Sequence, residues 1–111
     1  MTRSLVALAL LLTLAGCGGS GPQGAPVRTD TVDLPKSYRF DPEVIEVDRG
    51  TTVTWTNHDD FPHNVHLLDG SDREEALPVG GSATITFEDP GRVAYECSLH
   101  PQQMQGTVIV D

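Results

Sequence analysis

Cysteine and methionine are scarce in this chain: 111 residues hold two of each, beside four histidines. Positive charge is scarce as well. Seven Lys and Arg face sixteen Asp and Glu, for a formal charge of −9. That balance repels nucleic acid and anionic lipid, so it argues against both as partners and favours a basic docking protein. No apolar run reaches the ~20 residues that a membrane-spanning helix needs. Internal repeats and long helical periods are missing, which argues against solenoids and helix bundles. No Ser/His/Asp set or paired-carboxylate constellation stands out, so the chain is not expected to be an enzyme.

The N-terminus reads as an export signal. Met1 to Ser4 is short and basic through Arg3, and Leu5 to Ala15 is an apolar run too short to span a bilayer. Leu14-Ala15-Gly16-Cys17 follows and resembles the bacterial lipobox, in which the Cys becomes the lipid-modified first residue. An ordinary secretory signal with an incidental Cys is the alternative. No twin arginine is present, which favours the general secretory route. Residues 1–16 are therefore expected to be a lipoprotein signal peptide, 17–28 a lipidated Cys17 with a flexible Gly/Ser/Pro tether, and 29–111 one folded domain. Removing residues 1–16 takes out Arg3, leaving six Lys and Arg against sixteen Asp and Glu, a charge of −10. The expected location is a bacterial membrane, facing the periplasm or the exterior.

Most of the domain alternates with period two, the pattern of half-buried strands. In Thr51–Asn57, Val53 and Trp55 share a face with Thr51. In Ser82–Glu88 the inward set is Ala83, Ile85 and Phe87; in Arg92–Cys97 it is Val93, Tyr95 and Cys97. Asp30–Leu34, Tyr38–Phe40, Val44–Val47 and Thr107–Val110 also read as strands, with turn residues at Asp48-Arg49-Gly50 and Glu88-Asp89-Pro90-Gly91. One helix candidate appears, Ser71–Leu77, where Ser71 and Glu74 resemble a capping box and Pro78 ends the segment. About seven short strands predict an all-β sandwich.

The chemistry concentrates in Cys97-Ser98-Leu99-His100-Pro101-Gln102-Gln103-Met104, where a thiol, an imidazole and a thioether lie within one loop. If Cys17 is lipidated, Cys97 is a lone thiol in an oxidising compartment, which calls for pairing, reactivity or a metal. Sulfur donors suit soft metals and imidazole suits copper; two His, one Cys and a weak axial Met make a blue-copper electron-transfer site. Phe61-Pro62-His63-Asn64-Val65-His66 can supply the missing nitrogen. Alternation turns Glu96 to solvent and Cys97 to the interior at a strand end, where a rigid scaffold can hold a metal.

These residues resemble the cupredoxins, and most closely the amicyanin/plastocyanin branch. The likeness is carried by Val53–Asn57, Pro62-His63-Asn64-Val65-His66, Tyr95-Glu96-Cys97-Ser98-Leu99-His100-Pro101, Met104 and Gly106-Thr107-Val108. It implies a Greek-key β-sandwich of about seven to eight strands and one type 1 copper per chain. It implies His63, Cys97, His100 and Met104 as ligands, with Asn64 tying the two ligand loops together. His100 and Met104 stand four residues apart, between the spacings of three and five in the two branches of that family. The resemblance further implies single-electron transfer between redox partner proteins, with His100 as the electron port in an uncharged patch of Leu99, Pro101, Gln102, Gln103, Phe61 and Pro62. A monomer is expected. Copper storage or delivery is the alternative function. His58, His66, Asp59, Asp60, Asp72, Glu74 and Glu75 are expected to be solvated surface.

Overall fold

The computed structural model describes residues 24–111. The expected signal segment and Cys17 lie outside the described residues. Nine strands follow in chain order: β1 (Val27–Arg28), β2 (Thr31–Leu34), β3 (Val44–Val47), β4 (Thr51–Asn57), β5 (His63–Leu67), β6 (Glu74–Leu77), β7 (Ser82–Phe87), β8 (Gly91–Glu96) and β9 (Gln105–Val110). They form a six-stranded sheet, β1-β3-β9-β8-β5-β6, and a three-stranded sheet, β2-β4-β7. The pairings β1/β3, β3/β9 and β2/β4 are parallel and the others antiparallel.

The alternation in sequence is the cause of the two layers. Val53, Trp55, Ile85, Phe87 and Ala83 turn inward from the smaller sheet; Val65, Leu67, Tyr95, Cys97 and Val108 meet them from the larger. Each fully buried large side chain contributes roughly 1.5–3 kcal/mol. A line of aromatic contacts crosses this core: Phe40 with Tyr95, Tyr95 with Trp55, and Trp55 with Phe87, at centroid distances of 4.8, 5.4 and 6.3 Å. On the outer face of the smaller sheet the threonines pair across strands, Thr52 with Thr86 at 2.7 Å and Thr56 with Ser82 at 3.1 Å.

Three local expectations change. The segment 71–77 is not helical. The Ser71 hydroxyl donates to Asp69 at 2.5 Å and accepts the Arg73 amide at 3.2 Å, a turn rather than a helix cap. Glu74–Leu77 then pairs antiparallel with β5 and buries Leu77, so sheet pairing overrides the helical signal. Tyr38–Phe40 is a turn and its exit rather than a strand: Ser37 and Tyr38 have φ of 90° and 53°, which no strand accepts. The larger sheet also takes in Val27 and Arg28, read from sequence as tether; Arg28 pairs with Glu46, Asp48 and Asp111.

One end of the sandwich gathers the functional loops. His63 opens β5 opposite Leu77, where β6 ends. The amide of Asn57, at the end of β4, donates to Gly81 just before β7. Cys97 leaves β8 as its amide donates to the Met104 carbonyl just before β9, at 3.1 Å.

Candidate metal centre

Cys97 and Met104 are fully buried and His63 nearly so. Their loop is tightly wound: the amides of Gln103 and Met104 both donate to the His100 carbonyl, at 3.1 and 3.0 Å, and the His100 amide donates to the Cys97 carbonyl at 3.1 Å. Gln105 closes the loop through Nε2 to the Pro101 carbonyl at 3.0 Å. The four-residue step from His100 to Met104 therefore forms a compact turn that returns Met104 to the core.

Cys97 Sγ lies 3.8 Å from His63 Nδ1. The other ring nitrogen, Nε2, lies 2.8 Å from Asp59 Oδ2, with both side chains buried. A carboxylate there assigns the ring proton to Nε2, leaving the Nδ1 lone pair aimed at the sulfur. His100 stands beside His63 with ring centroids 5.7 Å apart. Among the described residues no three His, Cys, Asp or Glu side chains converge on one point. The pair in contact is His63 with Cys97; His100 stands beside His63, and Met104 is buried in the same core.

Asp59 is the residue that sequence reasoning misplaced. Expected on the surface, it is buried and bonded to His63. Burial pushes its acid up, but hydrogen bonds from His63 and from the Asp60 amide outweigh that and hold it below the ordinary carboxylate value. The signal was available only as spacing, four residues before His63. Asn57 is the second hidden contributor. It is fully buried; its Nδ2 donates to the carbonyls of Phe61 and Leu77, at 2.8 and 3.0 Å, and its Oδ1 accepts the Asp59 amide at 2.8 Å. It shapes the turn that carries Asp59.

Asn64 joins the two loops. Its Oδ1 accepts the Ser98 amide at 2.8 Å, and its Nδ2 faces the Ser98 hydroxyl at 2.7 Å and Glu74 Oε1 at 2.8 Å. Glu74, also expected to be merely solvated, is thus attached to the junction beside Cys97. His58 and His66 keep their expected distance from the site. His58 is exposed and pairs with Asp33; His66 sits on the outer face with Asp72 and Glu96.

A third loop reaches the centre. Tyr38 packs against His100, Phe61 and His63, with centroid distances of 4.7, 5.4 and 5.8 Å. Its left-handed backbone, with Ser37 before it, costs on the order of 1–3 kcal/mol per residue and persists only because the surroundings fix it.

Residues 4–110 match the Cupredoxin-like domain family. The chain is a cupredoxin. It is 33% identical over 113 residues to amicyanin-alpha of Methylorubrum extorquens, covering 97% of this chain and 93% of the relative. It is 44% identical over 80 residues to halocyanin of Natronomonas pharaonis, covering 67% of this chain and about half, 49%, of the relative. A purple cupredoxin from Nitrosopumilus maritimus superposes with a TM-score of 0.65 at 30% identity, covering 75% of this chain and all of that one. Copper is the cofactor of this cupredoxin, and electron carriage rather than catalysis is its class of function. The donor set fits that metal: a buried thiol with no disulfide, an imidazole whose Nδ1 faces it, and a thioether in the same core.

Proposed function

We propose that this cupredoxin holds one type 1 copper through His63, Cys97, His100 and Met104. It serves as an exported, lipid-anchored carrier of single electrons between redox proteins, with Cys17 as the lipid attachment point. The carrying observation is the contact of His63 Nδ1 with the buried Cys97 sulfur, with Nε2 tied back to Asp59. Bound copper supplies a one-electron couple between Cu(I) and Cu(II). The chain contributes the rest. Cys97 offers a polarisable thiolate, Asp59 keeps the imidazole in its ligating tautomer, and Asn64 holds the loops at a fixed separation. Burial excludes water from the sulfur. The acidic surface favours a basic partner.

The test of the ligand set is a visible spectrum of aerobically purified protein and its Cys97→Ser variant. The wild type should show an intense thiolate-to-copper band that the variant lacks; a variant equally coloured would overturn the assignment. Mass spectrometry of the mature N-terminus tests the anchor. Lipid-modified Cys17 is expected, and unmodified Cys17 or cleavage elsewhere would refute it. Among the described residues no helix is long and apolar enough to cross a membrane.

A further inference from the structure

We propose that Glu74 is a positioning residue of the copper centre: it closes the junction of Asn64 and Ser98 and so holds the Cys97 loop shut. The inference rests on the type 1 copper reading above and deepens it. Three side chains form a closed ring of contacts. Asn64 Oδ1 accepts the Ser98 amide at 2.8 Å, which fixes the direction of the Asn64 amide group. The two hydrogens on its Nδ2 are then left for two acceptors, Ser98 Oγ at 2.7 Å and Glu74 Oε1 at 2.8 Å. Ser98 Oγ, which accepts from Asn64, donates onward to the same Glu74 oxygen at 3.4 Å. One carboxylate oxygen thus faces two donors, and both require a group that accepts.

Sheet register brings Glu74 to this place. It opens β6 opposite His66, and Ala76, two residues on, lies opposite Asn64. Glu74 is therefore the diagonal cross-strand neighbour of Asn64, about 7–8 Å away along the sheet and within reach of a long side chain. Asn64 is buried and Glu74 exposed, so the carboxylate covers the junction from the solvent side. Without it, one Asn64 hydrogen and the Ser98 hydroxyl must find water instead. Water that competes at Ser98 loosens the residue next to Cys97, and a loosened loop admits solvent and reagents to a thiol that is otherwise fully buried. Glu74 acts by accepting hydrogen bonds rather than by its charge, so a glutamine, whose Oε1 also accepts, keeps the junction closed. Glu75, the next residue, is occupied elsewhere: it accepts from Arg73 Nε at 3.1 Å.

Metal-free protein gives the first readout. The rate at which dithionitrobenzoate labels Cys97, with the site confirmed by mass spectrometry, is measured for wild type, Glu74→Gln, Glu74→Ala and Glu75→Ala. Glu74→Ala should react about five-fold faster than wild type, the worth of one ordinary hydrogen bond. Glu74→Gln and Glu75→Ala should stay within two-fold of it. In an Asn64→Ala background, adding Glu74→Ala should change the rate by less than two-fold, because a residue that acts through Asn64 has nothing left to hold. The second readout is the visible spectrum of copper-loaded protein, where Glu74→Ala should shift the thiolate-to-copper band and Glu74→Gln should restore it. A Glu74→Ala rate or band that matches wild type overturns the proposal. So does a Glu74→Gln that behaves like Glu74→Ala, which would make the effect one of charge, or a full Glu74→Ala effect in the Asn64→Ala background. If Asn64→Ala proves misfolded by circular dichroism, the comparison of Glu74→Gln with Glu74→Ala decides alone. Failure of wild type to bind copper, with the metal-free rates as expected, would instead sink the copper reading and leave the Glu74 junction standing.

Discussion

Asp59→Asn removes a charge from the centre while keeping the side chain's shape. In the native protein the carboxylate accepts from two donors: the Asp60 amide at one oxygen and His63 Nε2 at the other. An asparagine offers one oxygen and one NH2 group. With its oxygen on the Asp60 amide, its NH2 faces the Nε2 proton of His63, and two donors repel. The amide can flip, which strands a backbone donor, or the imidazole can move its proton to Nδ1. The second outcome places hydrogen on the nitrogen that faces Cys97, 3.8 Å away, and removes the lone pair that would ligate metal in the proposed site. Loss of a hydrogen bond to a charged group is worth about 1.5–3 kcal/mol. Removing an outer partner of a ligating histidine typically weakens metal affinity 10–100-fold, or about 1.4–2.7 kcal/mol, so the two routes agree. Copper affinity, measured by competition with a chromophoric Cu(I) chelator, should therefore fall 10–100-fold. Metal-free stability in urea should fall by about 1–3 kcal/mol. Affinity within two-fold of wild type, with an unchanged circular dichroism spectrum, would refute the tautomer argument.

If Met104 is the weak axial donor of the proposed site, Met104→Leu removes it at similar volume, so stability should change by less than ~1.5 kcal/mol; voltammetry should show a higher potential with colour retained, and an unchanged potential would mean Met104 does not reach the metal. Gly106→Ala would drive a methyl group into the buried Tyr95 ring, two residues before Cys97; overpacking of this kind costs about 1–3 kcal/mol or more, read as a lower urea midpoint. The His66 imidazole is held above its ordinary value of 6.5, first by the Asp72 hydrogen bond, against burial, with Glu96, the Asp72 charge and Glu74 adding to it. Because its folded value exceeds its unfolded one, this contact stabilises fully below about pH 6.5 and fades as pH rises through the folded value. NMR titration should place His66 above 6.5, and Asp72→Asn should lower it.

The strands of the sandwich were legible in the sequence because a half-buried strand writes its burial into period-two alternation. Val53 and Trp55, Ile85 and Phe87, Tyr95 and Cys97 all face inward as their spacing required. The cupredoxin motif was legible for a related reason: Cys97, His100 and Met104 sit on one short loop whose chemistry is compressed into eight residues. What the sequence could not show depends on distances between segments. Ser71–Leu77 has helical local signals, yet the open edge of β5 gives Glu74–Leu77 more hydrogen bonds as a strand than a helix of one or two turns could keep. Asp59 sits in a polar run of three acidic or basic-titrating residues, His58, Asp59 and Asp60, and nothing local singles out the middle one. Only the closing of the Asn57 turn over His63 buries it. Tyr38 belongs to the same class, since a left-handed turn without glycine has no sequence signature and its ring finds His100 from more than sixty residues away. Local pattern determined the layers and the candidate metal donors; the meeting of loops at one end of the sandwich decided which side chains orient them.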